Sequence, residues 1–298
     1  EDRKKPKSLE EALRIFILGV AMGMQNNEHV DKKKRSMLVH PSTRRELHDG
    51  WRTWVQGILI RYEKAYQSKA LNIVDSKNRK DMTFQDIEKE FLESYEELKK
   101  TEKNLPKYND KFVINIAKAS EIIKNNIILF NADKGGIPDI DWDNDPTYAR
   151  ILVGGIGLER GYTIKGLTVS YIVRESGTDD VVYQRARFFG YHMDYIGLVR
   201  MYLPETLIIN FEKQFEQEII VREKIQEVLN KNGNLRKDLK RSFPFASIKY
   251  GPVRKSILEH NLKKFPKGGI VADNQAHHLD IDELNQNREI YKEIFNLI

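Results

Sequence analysis

Two short clusters hold the residues best suited to chemistry. Glu159-Arg160-Gly161 reads as a charged turn, and Gln184-Arg185-Ala186-Arg187 falls on a predicted helix. Each follows a short run rich in β-branched or aromatic residues, Ile151–Val153 and Leu167–Val173, and a third run, Leu198–Leu203, closes the unit. Such runs, bounded by Gly, Pro or charge, form buried strands. Open α/β sheets take their ligands at the carboxyl ends of strands, which is where both clusters begin. Arginine suits phosphate chemistry because its planar fork stays charged and bonds phosphate oxygens two at a time. An arginine brought to a γ-phosphate during transfer is worth ~10³–10⁵ in rate in the GTPase cases. Gly161 permits a tight turn and close backbone approach.

These clusters need a sheet to hold them, and the rest of the chain supplies one. Ser36–His40 and Ile127–Asn131 are two more buried-strand patterns. The expected fold is therefore α/β, with a mainly parallel sheet. Ser8 and Glu11 fit a capping box for a first helix ending near Gln25, with Leu9, Leu13, Phe16, Ile17 and Val20 on one face. His40-Pro41-Ser42-Thr43 stops a strand and caps a second helix. That helix spaces Leu47, Trp51, Trp54, Val55, Ile58 and Tyr62 so that both tryptophans are expected in the core. A third helix has the stripe Phe84, Ile87, Phe91, Tyr95 and Leu98, and a fourth covers 112–123. A plain βα unit needs one helix, so residues 68–110 read as a helical insertion on the sheet's edge. After Pro204 a long helix, about 205–230, is expected to turn Phe211, Phe215, Ile219, Ile225 and Val228 inward. Residues 1–234 then form one α/β domain and the basic stretch 235–298 a small appended module.

Composition narrows the functional classes. With 298 residues, 40% of them apolar, the chain can fill a core. There is no cysteine, so disulfides, thiolate zinc sites and cysteine nucleophiles are excluded, and a reducing, cytoplasmic setting is expected. The formal charge of +6 permits a phosphate or nucleic-acid partner without demanding one. No apolar run reaches the roughly 20 residues of a membrane span, so no membrane partner is expected. Asp139, Asp141, Asp143 and Asp145 alternate as calcium ligands do, but the glycine and downstream Glu of a calcium loop are missing. A solvated acidic loop is the expectation, with no metal site. The chain opens on Glu1, as a piece of a longer protein would.

The order strand, Gly-Gly, Glu-Arg-Gly, strand, helix with Gln-x-x-Arg, strand resembles the second RecA-like lobe of superfamily-two helicases and translocases. Leu158–Gly161 with Gly166-Leu167 matches their fifth motif, and Gln184–Gly190 their sixth. The finer wording is closer to one group. Ser36–His40, Gly154–Gly161 and Gln184–Tyr191 look like the Z-one domain family, provisionally named an endonuclease and found in bacterial restriction and phage-defence loci, often beside MORC-like GHKL ATPases. The resemblance covers roughly residues 8–230.

The resemblance implies that the lobe lends cations to a triphosphate held by another lobe. Arg187 stands first for the finger and Arg185 second, with Gln184 orienting water and phosphate. Gly155, Glu159, Arg160 and Gly161 would line the nucleotide side and link it to a nucleic-acid groove. Ser42, Thr43, Asn131, Lys134 and Thr163 would hold the DNA backbone, contacts that grip phosphate without reading sequence. ATP and magnesium would be bound mainly by a first RecA-like lobe not present in this chain, and a GHKL ATPase and nuclease of the same locus would be further partners. Two features depart from the general motif: Ala186 replaces the glycine before its central arginine, and Tyr191-His192 stands where another arginine is common. No G-x-x-x-x-G-K-[ST] occurs, so the chain alone is not expected to hydrolyse ATP. Two other classes stay open: a DNA- and protein-binding module without turnover, and a metal-dependent nuclease. For the nuclease the sequence offers no pair of acids with a nearby Lys on a strand.

Overall fold

Runs of aliphatic residues with no polar alternation pair as parallel strands when both faces are covered. The sheet is built from β1 (Arg35–His40), β2 (Ile127–Phe130), β3 (Ala149–Gly154), β4 (Leu167–Ile172) and β5 (Arg200–Tyr202); β1, β3 and β4 are buried throughout, and β5 lies at an edge with Met201 exposed. The computed structural model describes residues 6–30, 33–42, 46–70, 84–130, 138, 140–155, 162–173, 193–230, 262–264 and 270–272. The five strands make one sheet in the order β2-β3-β1-β4-β5, all neighbours parallel. Register puts Val39 beside Val153 and Tyr171, and Phe130 beside Gly154, so the carboxyl ends share one edge.

Side chains alternate across a sheet. Met37, Val39, Ala149, Ile151, Val153, Val169 and Tyr171 join one apolar core with four helices: α1 (Lys7–Gln25), α2 (Glu46–Ala70), α3 (Phe84–Lys99) and α4 (Asp110–Lys124). The alternate positions include Ser36, His40, Arg150, Thr168 and Ser170, all buried. The sheet therefore has one aliphatic face and one that is partly polar.

The α/β class and parallel sheet are as the sequence implies, but several local expectations are corrected. The capping box does not form. Pro6 is the N-cap and gives no side-chain cap bond. Ser8 Oγ instead meets the Tyr171 hydroxyl at 3.0 Å, and the Tyr202 hydroxyl donates to Glu11 Oε1 at 3.3 Å. Tethering α1 to β4 and β5 outcompetes a local cap, because both tyrosines stand at or next to the last residue of their strands, within reach of the helix. Nor does α1 bury one stripe only: every residue from Ala12 to Gly23 is buried, as for a helix enclosed by neighbours. Within the stretch 68–110, read from sequence as an edge insertion, α3 packs on the helical layer and at the edge strand. Ile87, Phe91 and Leu98 are core residues, and Arg14 of α1 bonds Ser94 Oγ at 3.0 Å and Glu90 Oε2 at 2.6 Å. The end of α3 also touches the edge strand, where Arg200 Nε meets Glu97 Oε1 at 3.1 Å.

The connection into β4 crosses the sheet as extended chain. Tyr162 stacks on Phe130 at the carboxyl end of β2, with ring centroids 4.5 Å apart. Four residues later the Gly166 carbonyl accepts from Ser36 N at 2.7 Å, at the amino end of β1. Gly166 has φ +68°, and a Cβ there would overlap the Lys34 carbonyl. The aspartates of 141–145 serve separate neighbours. Asp141 accepts from the backbone amides of Asp143 and Asn144 at 3.2 Å each; Asp143 pairs with Lys165 at 2.6 Å; Asp145 pairs with Arg150 at 2.8 Å.

The chain divides into two compact units, Glu1–Glu175 with Tyr183–Glu205, and Ser176–Val182 with Thr206–Ile298. All of the five-stranded sheet belongs to the first. The second holds most of α5 (Glu205–Asn230) and an antiparallel pair, β6 (Leu262–Lys264) and β7 (Ile270–Ala272). On α5 the expected inward stripe holds only in part among the described side chains: Phe211 and Ile225 are half-buried, but Phe215 and Ile219 are exposed, as are Ile208, Ile209 and Ile220. The most buried of the described positions of this helix are Leu207 and Gln214.

Candidate functional site

The topology singles out one crevice. The chain leaves β1 toward β2 on one side and leaves β4 toward β5 on the other. Where neighbouring strands send their connections in opposite directions, an α/β sheet opens a cleft at their carboxyl ends. Here that place lies between β1 and β4, with β3 flanking β1.

Three elements meet beside it. His40, the last residue of β1, is fully buried, and its carbonyl accepts from Val173 N, just past β4, at 3.1 Å. Pro41 then turns the chain, and Ser42 follows, half-buried. The Ser42 carbonyl lies 2.7 Å from Nε2 of His48, a buried residue in the first turn of α2. A carbonyl can only accept, so Nε2 carries a proton and donates it to this bond. Gly155, just past β3, closes the group. A Cβ on it would stand 3.0 Å from His48 Cε1 and 3.1 Å from the Ser42 oxygen. Packing between the β1 and β3 ends thus favours glycine there, since a methyl would press His48 and the Ser42 carbonyl.

An aromatic row runs alongside. Trp51, one turn after His48, sits 5.1 Å from Trp54 and 5.9 Å from Tyr171, which in turn lies 6.0 Å from Tyr202. The tryptophans are half-buried rather than core, a correction to the helical-spacing expectation. Burial raises the Tyr171 hydroxyl above its ordinary pKa, against the opposing hydrogen bond with Ser8.

Of the residues proposed from sequence, the structure brings Ser42 and Gly155 together. Thr163 is exposed and stands elsewhere, in the crossing stretch next to Tyr162. Thr43, Asn131, Lys134, Glu159, Arg160, Gly161, Gln184, Arg185 and Arg187 lie outside the described residues. By chain connectivity Asn131 follows β2, Glu159–Gly161 follows β3 and Gln184–Arg187 follows β4. His48 and the aromatic row were missed. A histidine in the helix after β1 carries no motif, and only the fold shows that it reaches back to Ser42. Among the described residues no three His, Asp or Glu side chains gather as a metal site would need, and no helix is long and apolar enough to cross a membrane.

A five-stranded, all-parallel sheet with a switch point between β1 and β4 defines an α/β protein of the open-sheet class, consistent with a RecA-like arrangement. Residues 8–240 match the family model described as the Z1 domain, and the chain belongs to that family. No match is found among curated proteins or among solved structures.

Proposed function

We propose that this chain is the second RecA-like lobe of a DNA-acting ATPase of the superfamily-two type, working in a restriction or phage-defence system. The supporting observation is that the stretches bearing both charged clusters leave from carboxyl ends of the same parallel sheet, after Gly154 of β3 and Ile172 of β4, on either side of β1. In this reading Arg187, with Arg185 and Gln184, meets the γ-phosphate when two lobes close. Glu159 and Arg160 couple that edge to DNA held near Ser42 and Thr43.

The described residues fit a supporting role toward nucleotide better than a holding one. The Cβ side of Gly155 faces His48 and the Ser42 carbonyl. In this reading ATP and magnesium are held mainly by the partner lobe, and this chain contributes charge and positioning. Bound ATP supplies the energy of lobe closure, and the chain's part is to place cations and keep the β1, β3 and β4 ends in register.

The test is Arg187→Ala in an ATP-hydrolysing assembly that contains this chain. Turnover is expected to fall by ~10³ or more, with DNA affinity unchanged. Unchanged turnover would remove the finger assignment. Metal-dependent plasmid cleavage by the chain, abolished by Asp141→Asn, would favour the nuclease reading instead.

A further inference from the structure

We infer that the connector between α3 and α4, together with the exposed face of α4, is a DNA-backbone-binding ridge, built by Lys103, Lys107, Lys111 and Lys118. The inference rests on the DNA-acting reading above and names a surface for it.

Between Lys99 and Lys118 the chain carries six lysines, at 99, 100, 103, 107, 111 and 118, against two acids, Glu102 and Asp110. Five of the six, all but Lys99, take part in none of the ion pairs among the described residues; Lys99 pairs with Glu96. One of the two acids is withdrawn from the surface: Glu102 is buried and its carboxylate accepts from Asn104 N at 2.9 Å. Elsewhere in the fold Lys124 is paired with Glu63 at 2.6 Å and Lys165 with Asp143 at 2.6 Å, whereas Lys7, Lys33, Lys64 and Lys89 are scattered along the chain.

The four ridge lysines are exposed, two on the connector and two on α4. Phe112, Val113, Ile116, Ala117 and Ile123 hold the opposite face of α4 in the core. Lys111 and Lys118 are two helical turns apart, so they share a face about 10.5 Å apart along the helix. Phosphates of one DNA strand advance about 3.4 Å each along the duplex axis, so that spacing spans about three of them. Lys107 and Lys111 also flank the amino end of α4, where the helix dipole disfavours a cation. An anionic partner would relieve that cost.

The chemistry favours nucleic acid over an acidic protein. The ridge offers compact point charges with no arginine fork and no exposed aromatic, which suits sequence-independent phosphate contact. Lysine is depleted from protein interfaces.

Binding of a fluorescent mixed-sequence duplex to the 298-residue chain, measured by anisotropy across a salt series, tests this. Changing all four lysines to Gln should lower the slope of log K against log salt by about 0.9 for each phosphate no longer neutralised. A control with Lys7, Lys33, Lys64 and Lys89 changed to Gln should keep the wild-type slope. Tryptophan-monitored melting shows that both variants fold. A fall of less than about one unit in the ridge variant, with wild-type DNA binding intact, overturns the ridge and leaves the DNA-acting reading standing. Equal falls in both variants overturn it too, by assigning binding to overall charge. Poly-glutamate that competes as well as DNA at equal charge overturns the nucleic-acid assignment. A wild-type chain without salt-dependent DNA binding overturns the ridge and the DNA-acting reading together.

Discussion

The contact between His48, Ser42 and Gly155 permits a quantitative test, because two of its members can be changed independently and together. His48→Ala removes a buried ring and its hydrogen bond to the Ser42 carbonyl at 2.7 Å. Removing a bond and leaving its acceptor buried costs about 1–3 kcal/mol. The space left by a buried ring adds to that, and removal of a larger aromatic ring costs up to about 3–5 kcal/mol in full. A sum of about 3 kcal/mol is expected for this smaller, polar ring. Gly155→Ala places a methyl 3.0 Å from the imidazole and 3.1 Å from the Ser42 oxygen. Overpacking of that kind costs about 1–3 kcal/mol, and reduced freedom of the unfolded chain returns about 0.4–1 kcal/mol, leaving about 1 kcal/mol. In the double variant the methyl enters the vacated ring space and only the Ser42 oxygen still opposes it. The two costs should then fall short of additivity by roughly 0.5–1 kcal/mol, within the range found for residues in contact. Urea unfolding followed by tryptophan emission is the appropriate assay, since Trp51, Trp54 and Trp142 all belong to the unit that contains the sheet. Additive costs, to within about 0.3 kcal/mol, would mean that the methyl and the ring do not compete for the same space, and the packing account of Gly155 would fail.

Gly166→Ala should destabilise the same unit by more than about 2 kcal/mol, read by the same unfolding curve, because it combines a left-handed backbone with an overlap on the Lys34 carbonyl. Arg200→Ala should loosen the edge strand at a cost of about 1–2 kcal/mol, since it removes the Glu97 pair and the bond to the Gly197 carbonyl at 3.0 Å; hydrogen exchange in β5 would show the loosening, and unchanged protection would refute the clamp. Burial raises the Asp145 carboxyl, but hydrogen bonds from Thr147 and Arg150 and the charge of Arg150 outweigh it, so its pKa lies below the ordinary carboxylate value. A depressed carboxylate stabilises the fold above its unfolded pKa of about 3.9 and loses that contribution as pH falls through the folded value. Asp145→Asn should accordingly lower stability at pH 7 and narrow its difference from wild type as pH falls below about 4; a difference that stays constant through that range would refute the ion-pair account.

The strands were legible because short apolar runs bounded by polar or turn residues mark them, and β1, β3 and β4 are buried along their whole length. Ser36–His40, Ile127–Asn131, Ile151–Val153 and Leu167–Val173 each fall on an observed strand, with ends that differ by no more than a residue or two. β5 is less well marked in sequence: Leu198 falls in a 3-10 turn (Met193–Leu198), and only Arg200–Tyr202 pairs. What the sequence concealed was competition between local and distant partners. Ser8 and Glu11 have the spacing of a cap, but the hydroxyls of Tyr171 and Tyr202, far along the chain, claim them. Trp51 and Trp54 have the spacing of core residues, but both are half-buried, Trp51 packing against the core from outside it. Periodicity reports which face of a helix is apolar and says nothing of how much of that face a neighbour covers.

The candidate site shows the same division. A hydroxyl after a strand and a glycine after another are visible as motif residues, and each invites a ligand-binding role. The fold gives Gly155 a reason that involves no ligand: its missing Cβ lets His48 reach the Ser42 carbonyl. That contact ties the β1–α2 turn to the end of β3 at the crevice where the chain also leaves β4. If two lobes close on a nucleotide at this edge, a movement of the stretch after β3 would be transmitted to Ser42 through one imidazole. Such coupling needs a rigid link rather than a flexible one, and a buried ring hydrogen-bonded to the Ser42 carbonyl supplies it. Under this account His48→Ala should weaken the dependence of turnover on DNA in an ATP-hydrolysing assembly while leaving turnover without DNA little changed. Equal loss of both activities would instead make His48 a packing residue only.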